Sequence, residues 1–114
     1  MIAVIFEVWP KHGHVDTYLD IAAGLREELT GHPGFISVER FRSITDPEKL
    51  LSLSFFEDEA ALDAWRQRPR HRAAQSAGRH EHFADYRLRI AGVIRDYGMT
   101  ERDEAPQDSR ALNG

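Results

Sequence analysis

The sequence predicts an α+β domain with the ferredoxin-like order β-α-β-β-α-β: a four-stranded antiparallel sheet and two helices, the second one broken. Three observations carry this expectation. Four segments rich in β-branched and aromatic residues read as strands, and one long segment between the first two has helical periodicity. The second and third strands are separated by a short Asp-Pro turn, which marks an antiparallel hairpin. A proline interrupts the helical pattern that follows.

Each element has its own reason. Residues 2–9 carry Ile2, Val4, Ile5, Phe6, Val8 and Trp9, so this strand is expected to be central and covered on both faces, with Pro10 and Gly13 ending it. In residues 14–30, Val15, Tyr18, Leu19, Ala22, Leu25 and Leu29 recur at three- and four-residue spacing and form one apolar stripe. Gly31, His32, Pro33 and Gly34 stop that helix. Residues 35–44 alternate, with Ile36 and Val38 expected on one face and Phe35, Ser37, Glu39 and Phe41 on the other. Thr45-Asp46-Pro47-Glu48 is a turn: the aspartate bonds back to the backbone and the proline presets φ. Residues 50–56 form the third strand.

Asp58 supplies an N-cap and Glu59 an acidic first turn for a helix whose apolar face holds Ala61, Leu62 and Trp65. Pro69 opens a second helical piece over residues 70–82, and residues 86–97 give the last strand. The domain is placed at residues 1–98. Residues 99–114 are polar and read as a mobile tail, or one that packs on a partner subunit.

With 114 residues the chain fits one domain, and 41% hydrophobic with 30% charged residues fits a folded, soluble one. A net charge of -4 argues against a nucleic-acid partner, which needs a basic footprint. The absence of cysteine removes disulfides, thiolate metal sites and cysteine nucleophiles, and fits a reducing cytoplasm. No apolar run reaches the roughly 20 residues of a membrane span. The face of the sheet carrying Leu51, Leu53 and Phe55 is too apolar for water on a small monomer, so a second sheet packed against it, in a homodimer, is expected.

Four segments, in this order, resemble the antibiotic biosynthesis monooxygenase (ABM) family. They are Pro33-Gly34-Phe35-Ile36-Ser37, Thr45-Asp46-Pro47, Phe55 through Leu62, and Trp65 with His71 six residues later. The resemblance runs over residues 2–93. It implies a dimeric α+β barrel with a pocket between each sheet and its helices. It also implies chemistry of two kinds: oxidation of phenols to quinones by O₂ without a cofactor, or binding and degradation of haem. Many relatives have no assigned role.

The candidate catalytic residues are His71, Glu7 and Trp65. Trp65 matches the family's pocket-lining tryptophan and reads equally as a core aromatic. His71 is suited to proton transfer near neutral pH, or else is a surface or capping histidine. Glu7, among apolar neighbours, is expected to have a raised pKa that suits a general base; the alternative is a strand-end carboxylate paired with an arginine. Gln75, Tyr18, Phe83 and His82 are expected to line the pocket. The resemblance places the haem-degrading branch's iron-binding histidine at Gln75, and its first-strand asparagine near Glu7; both departures count against haem.

His80 and His82 flank Glu81 but face different directions, so no metal site is expected. Arg66, Arg68, Arg70, Arg72 and Arg79 read as a solvated face, or as an attraction for an acidic ligand at the pocket mouth. The expected function is a cofactor-independent ABM-type monooxygenase acting on a small aromatic or quinol-like molecule. A haem-binding monooxygenase and a non-catalytic dimeric small-ligand-binding protein are the alternatives.

Overall fold

A computed structural model describes residues 1–114. The elements are β1 (Ile2–Pro10), α1 (Val15–Thr30), β2 (Phe35–Arg42), β3 (Leu50–Phe56), α2 (Glu59–Arg66), α3 (Pro69–Ala77), a π-helical turn (Gly78–His82), β4 (Phe83–Gly92) and a short α4 (Gln107–Asn113). The four strands form one antiparallel sheet in the order β2-β3-β1-β4, which is the ferredoxin-like α+β arrangement.

Side chains alternate across the pleat, so the register sorts each strand into two faces. Ile2, Val4, Phe6 and Val8 of β1 share one face with Leu50, Ser52, Ser54 and Phe56 of β3 and with Tyr86, Leu88 and Ile90 of β4. The helices cover this face. Its core falls into two clusters: Leu29, Val38, Phe56, Leu62 and Trp65 at one end, and Val8, Tyr18 and Leu50 at the other.

Three local readings are corrected. The register shifts between Phe35 and Ser37, so Ile36 is an extra residue in β2 and Phe35 falls on the same face as Val38. Phe35 packs into the Phe56 cluster, whereas Ile36 is exposed. In α1, Leu19 lies off the buried stripe, and Tyr18, Ala22 and Leu29 are the buried residues. The last strand begins at Phe83 and ends at Gly92, because Pro10 pairs with Phe83 and the bond from Val93 N–H to the Met1 carbonyl closes the ladder.

The Pro33-Gly34 step has a steric cause. Gly34 has φ +83°, a conformation that favours glycine, and a Cβ there would come within 2.5 Å of the Ala61 Cβ in α2. Its carbonyl accepts from Glu57 N–H at 2.8 Å, which ties the start of β2 to the end of β3.

Beyond β4 the chain is joined by its own hydrogen bonds. Arg102 donates to the Gly98 and Gly114 carbonyls and to Ser109 Oγ, and its guanidinium stands over Tyr97. Ala105 is buried within this turn. The radius of gyration is 16.4 Å, against roughly 13 Å for a compact chain of this size. No helix is long and apolar enough to cross a membrane.

Candidate active site

A cleft of about 820 Å³ opens between the helix-facing side of the sheet and helices α1, α2 and α3. Its cause lies in β3. Where a filled core would have two large apolar residues between Leu50 and Phe56, the strand has Ser52 and Ser54. The volume they leave separates the two core clusters. Leu88 and Ile90, on the same face of β4, consequently stay 38% and 43% exposed.

The second helix is built to bring two side chains to this opening. Asp58 caps α2 by accepting from Ala61 N–H at 2.8 Å. The helix stops at Gln67, and Pro69 restarts it as α3 at the first helical position, where its missing N–H costs nothing. This break folds His71 back onto Trp65, with ring centroids 5.1 Å apart. Trp65 is almost fully buried. The Arg68 guanidinium covers it, and His32 meets its edge at 5.8 Å.

Burial pushes the His71 imidazole below its ordinary value of 6.5; a backbone bond with Arg66 opposes this and the Arg66 charge adds to it. His71 is therefore a neutral base near neutral pH. Its Nδ1 is buried without a hydrogen-bond partner.

Of the residues expected at the pocket, Trp65, His71, Gln75, Tyr18, Phe83 and His82 all line this cleft. Tyr18 is buried, which raises its phenol pKa, while the adjacent Arg40 pulls the other way. Gln75 presents an amide at the place where the resemblance expects an iron ligand, so that position does not fit haem ligation. His82 Nδ1 lies 3.0 Å from His14 Nδ1, one ring donating to the other, and this bond joins the start of α1 to the π-helical turn. The turn needs Gly78, since a Cβ there would collide with the Phe83 ring. His80, Glu81 and His82 do not join a cluster of three ligand-type side chains.

Glu7 is the correction. Val4 and Phe6 face the cleft, so Glu7 points to the opposite side of the sheet. Its partner groups are Lys49 and Arg89. Lys49 chiefly lowers its pKa, the reverse of the shift expected, because the flanking strand residues supply cations rather than an apolar pocket.

Sequence reading missed two other residues. Arg40 lines the cleft from β2. Its signal was its phase: it lies two residues after the buried Val38. His32, placed only as a helix stop, is buried and bonds the Ala61 carbonyl through Nε2 at 2.8 Å. Nothing in its spacing marks it.

A sheet and three helix segments enclosing a ligand-sized cleft, with a buried tryptophan and a half-buried histidine paired in its wall, define a small α+β domain of the pocket-bearing kind. The chain belongs to the antibiotic biosynthesis monooxygenase family, whose model matches residues 1–77. It is 46% identical over 93 residues to a protein of Pyricularia oryzae named jasmonate monooxygenase ABM. The match covers 82% of this chain and 43% of that protein, so the chain spans less than half the relative's length.

Solved structures share the fold. Rv0793 from Mycobacterium tuberculosis superimposes with a TM-score of 0.77 at 14% identity, covering 85% of this chain and 98% of that one. A conserved protein from Methanosarcina mazei Go1 gives 0.73 at 21% identity, covering 79% and 89%. A protein described as an antibiotic biosynthesis monooxygenase gives 0.71 at 19% identity, covering 82% and 99%.

Proposed function

We propose that this chain is a monooxygenase that uses O₂ without a cofactor to oxidise a small ring compound bound in the cleft. The observation that carries the reading is the half-buried His71, its pKa lowered by burial, against Trp65 in the cleft wall. A phenol or quinol there loses its proton to His71; an enolisable ring ketone loses one from carbon, and its CH₂ becomes a second carbonyl as one atom of O₂ enters the ring and the other leaves as water. The resulting anion is electron-rich enough to reduce O₂. For a phenol, one oxygen atom enters the ring, the other leaves as water, and a quinone results. The apolar walls at Phe6, Leu25 and Trp65 keep bulk water from the anion. The Pyricularia oryzae relative is named a jasmonate monooxygenase, which supports oxygenation of a small organic substrate.

The amide of Gln75 supports independence from haem. The apolar residues Leu53, Phe55 and Phe41 on the uncovered sheet face support a homodimer. The lack of cysteine accords with the cytoplasm.

The test is O₂ consumption with a panel of naphthols, quinols and cyclic ketones, comparing wild type with His71→Gln. Turnover that His71→Gln abolishes supports the reading; equal rates in both overturn the role of His71. A haemin titration is expected to give no saturable Soret shift, and a shift at one haem per chain would overturn cofactor independence.

A further inference from the structure

We propose that the cleft selects a small apolar molecule bearing a carboxylate, and that Arg40 on the sheet floor holds that carboxylate. The inference rests on the cleft being the substrate site and adds the substrate's charge to that reading.

The charge of the cleft differs from that of the chain. The protein as a whole carries a formal net charge of -4. The charged side chains lining the cleft, histidines aside, are Arg40, Arg66, Arg72 and Arg79 against Asp63. None of these four arginines is in an ion pair. The acidic groups of the chain that form such pairs hold others: Glu7 takes Lys49 and Arg89, Glu28 takes Arg68 and Arg70, and Glu81 faces His82.

Arg66, Arg72 and Arg79 are exposed on the helices and the π-helical turn, where they draw anions toward the mouth. Arg40 is different. It rises from the sheet opposite Ser52, is only partly exposed, and its Nε is buried with no hydrogen-bond partner. A buried guanidinium N–H without an acceptor is costly, and a carboxylate is the acceptor whose two oxygens match the guanidinium fork.

The surroundings fit a carboxylate on an apolar body. Tyr18 stands beside Arg40 and its neutral hydroxyl can donate to the second oxygen. Ser52 offers a hydroxyl on the same floor. Beyond them the lining turns to Phe6, Leu25 and Trp65, which suits a ring or a short chain rather than a sugar or a nucleotide.

The test is calorimetric titration of the full chain with 2-naphthoate and, separately, with methyl 2-naphthoate. Wild type is expected to bind the acid about tenfold or more tighter than the ester, the difference a charge-assisted hydrogen bond makes. Arg40→Met brings the acid-to-ester affinity ratio to about one, whatever the affinity for the ester itself; Arg40→Lys keeps part of the preference. In wild type, added salt weakens the acid and spares the ester, a measurement that needs no variant.

Equal affinities for acid and ester in wild type, a preference that survives in Arg40→Met, or no binding of naphthoate at millimolar concentration would overturn the proposal. Neither probe requires turnover. Naphthoate preference without O₂ consumption by any substrate would therefore sink the oxygenase reading and keep the anion site, and the reverse would remove Arg40 alone.

Discussion

The two faces of one sheet use the same alternating strands to opposite ends. The helix-covered face has a core at each end and a gap at Ser52 and Ser54 between them, and the half-buried His71 and Arg40 each keep one buried nitrogen without a partner. The uncovered face satisfies its polar groups internally. Glu7 is held by Lys49 and Arg89, Lys49 also stands over the Trp9 ring, and Trp9 Nε1 donates to Asp46 at 2.9 Å. Unmet hydrogen-bonding capacity beside a cavity marks a place for a ligand. A paired carboxylate beside apolar neighbours marks a surface suited to packing.

That contrast breaks most readily in the core. Phe56 is 1% exposed on the covered face, so Phe56→Ala is expected to cost about 3–5 kcal/mol in urea unfolding. A cost near 1 kcal/mol would mean that the Phe56 cluster does not anchor the covered face. Next in size is His71→Gln, expected to lower kcat by about a hundredfold on a responsive substrate, as removal of a general base does. On the uncovered face, Leu53→Lys places a charge where a partner sheet would lie. Light scattering is expected to show the proposed dimer weakened by about tenfold or more in Kd, about 1.4 kcal/mol. An unaltered dimer would place the interface elsewhere. Glu7→Gln is the smallest: it is expected to leave turnover within about twofold, since it lies across the sheet from the cleft. A large loss would return Glu7 to the chemistry.

His71 also gives the covered face a pH signature. Its folded pKa lies below the unfolded value of 6.5, so the unfolded chain takes up the proton first as pH falls. The contribution of His71 to stability is complete above pH 6.5 and declines from there toward the lower folded value. The acid limb of kcat/KM is expected below pH 6.5 and absent in His71→Gln, as a pH series of both variants would show. A limb that persists in the variant belongs to another group.

Much of the site was legible because its signals are local. The helix break at Pro69, the cap at Asp58 and the six-residue step from Trp65 to His71 follow from neighbouring residues, and the structure places both aromatics in one wall. Glu7 was misplaced for a nonlocal reason. The strand is apolar on both faces, so its sequence does not say which face holds the cleft, and the cations that hold Glu7 come from residues 49 and 89. Arg40 was in phase with Val38 and was passed over because a charged residue on a strand reads as solvent-facing; the cavity that receives it is made by Ser52 and Ser54 of the neighbouring strand.

Periodicity and turn chemistry act over a few residues, so the order of elements, their caps and breaks, and the candidates Trp65 and His71 could be read along the chain. Which sheet face the helices cover, where Ser52 and Ser54 leave a cavity, and that Arg40 rather than Glu7 looks into it emerge in the folded chain alone. Those outcomes depend on strand register, which is fixed by partners far apart in the chain.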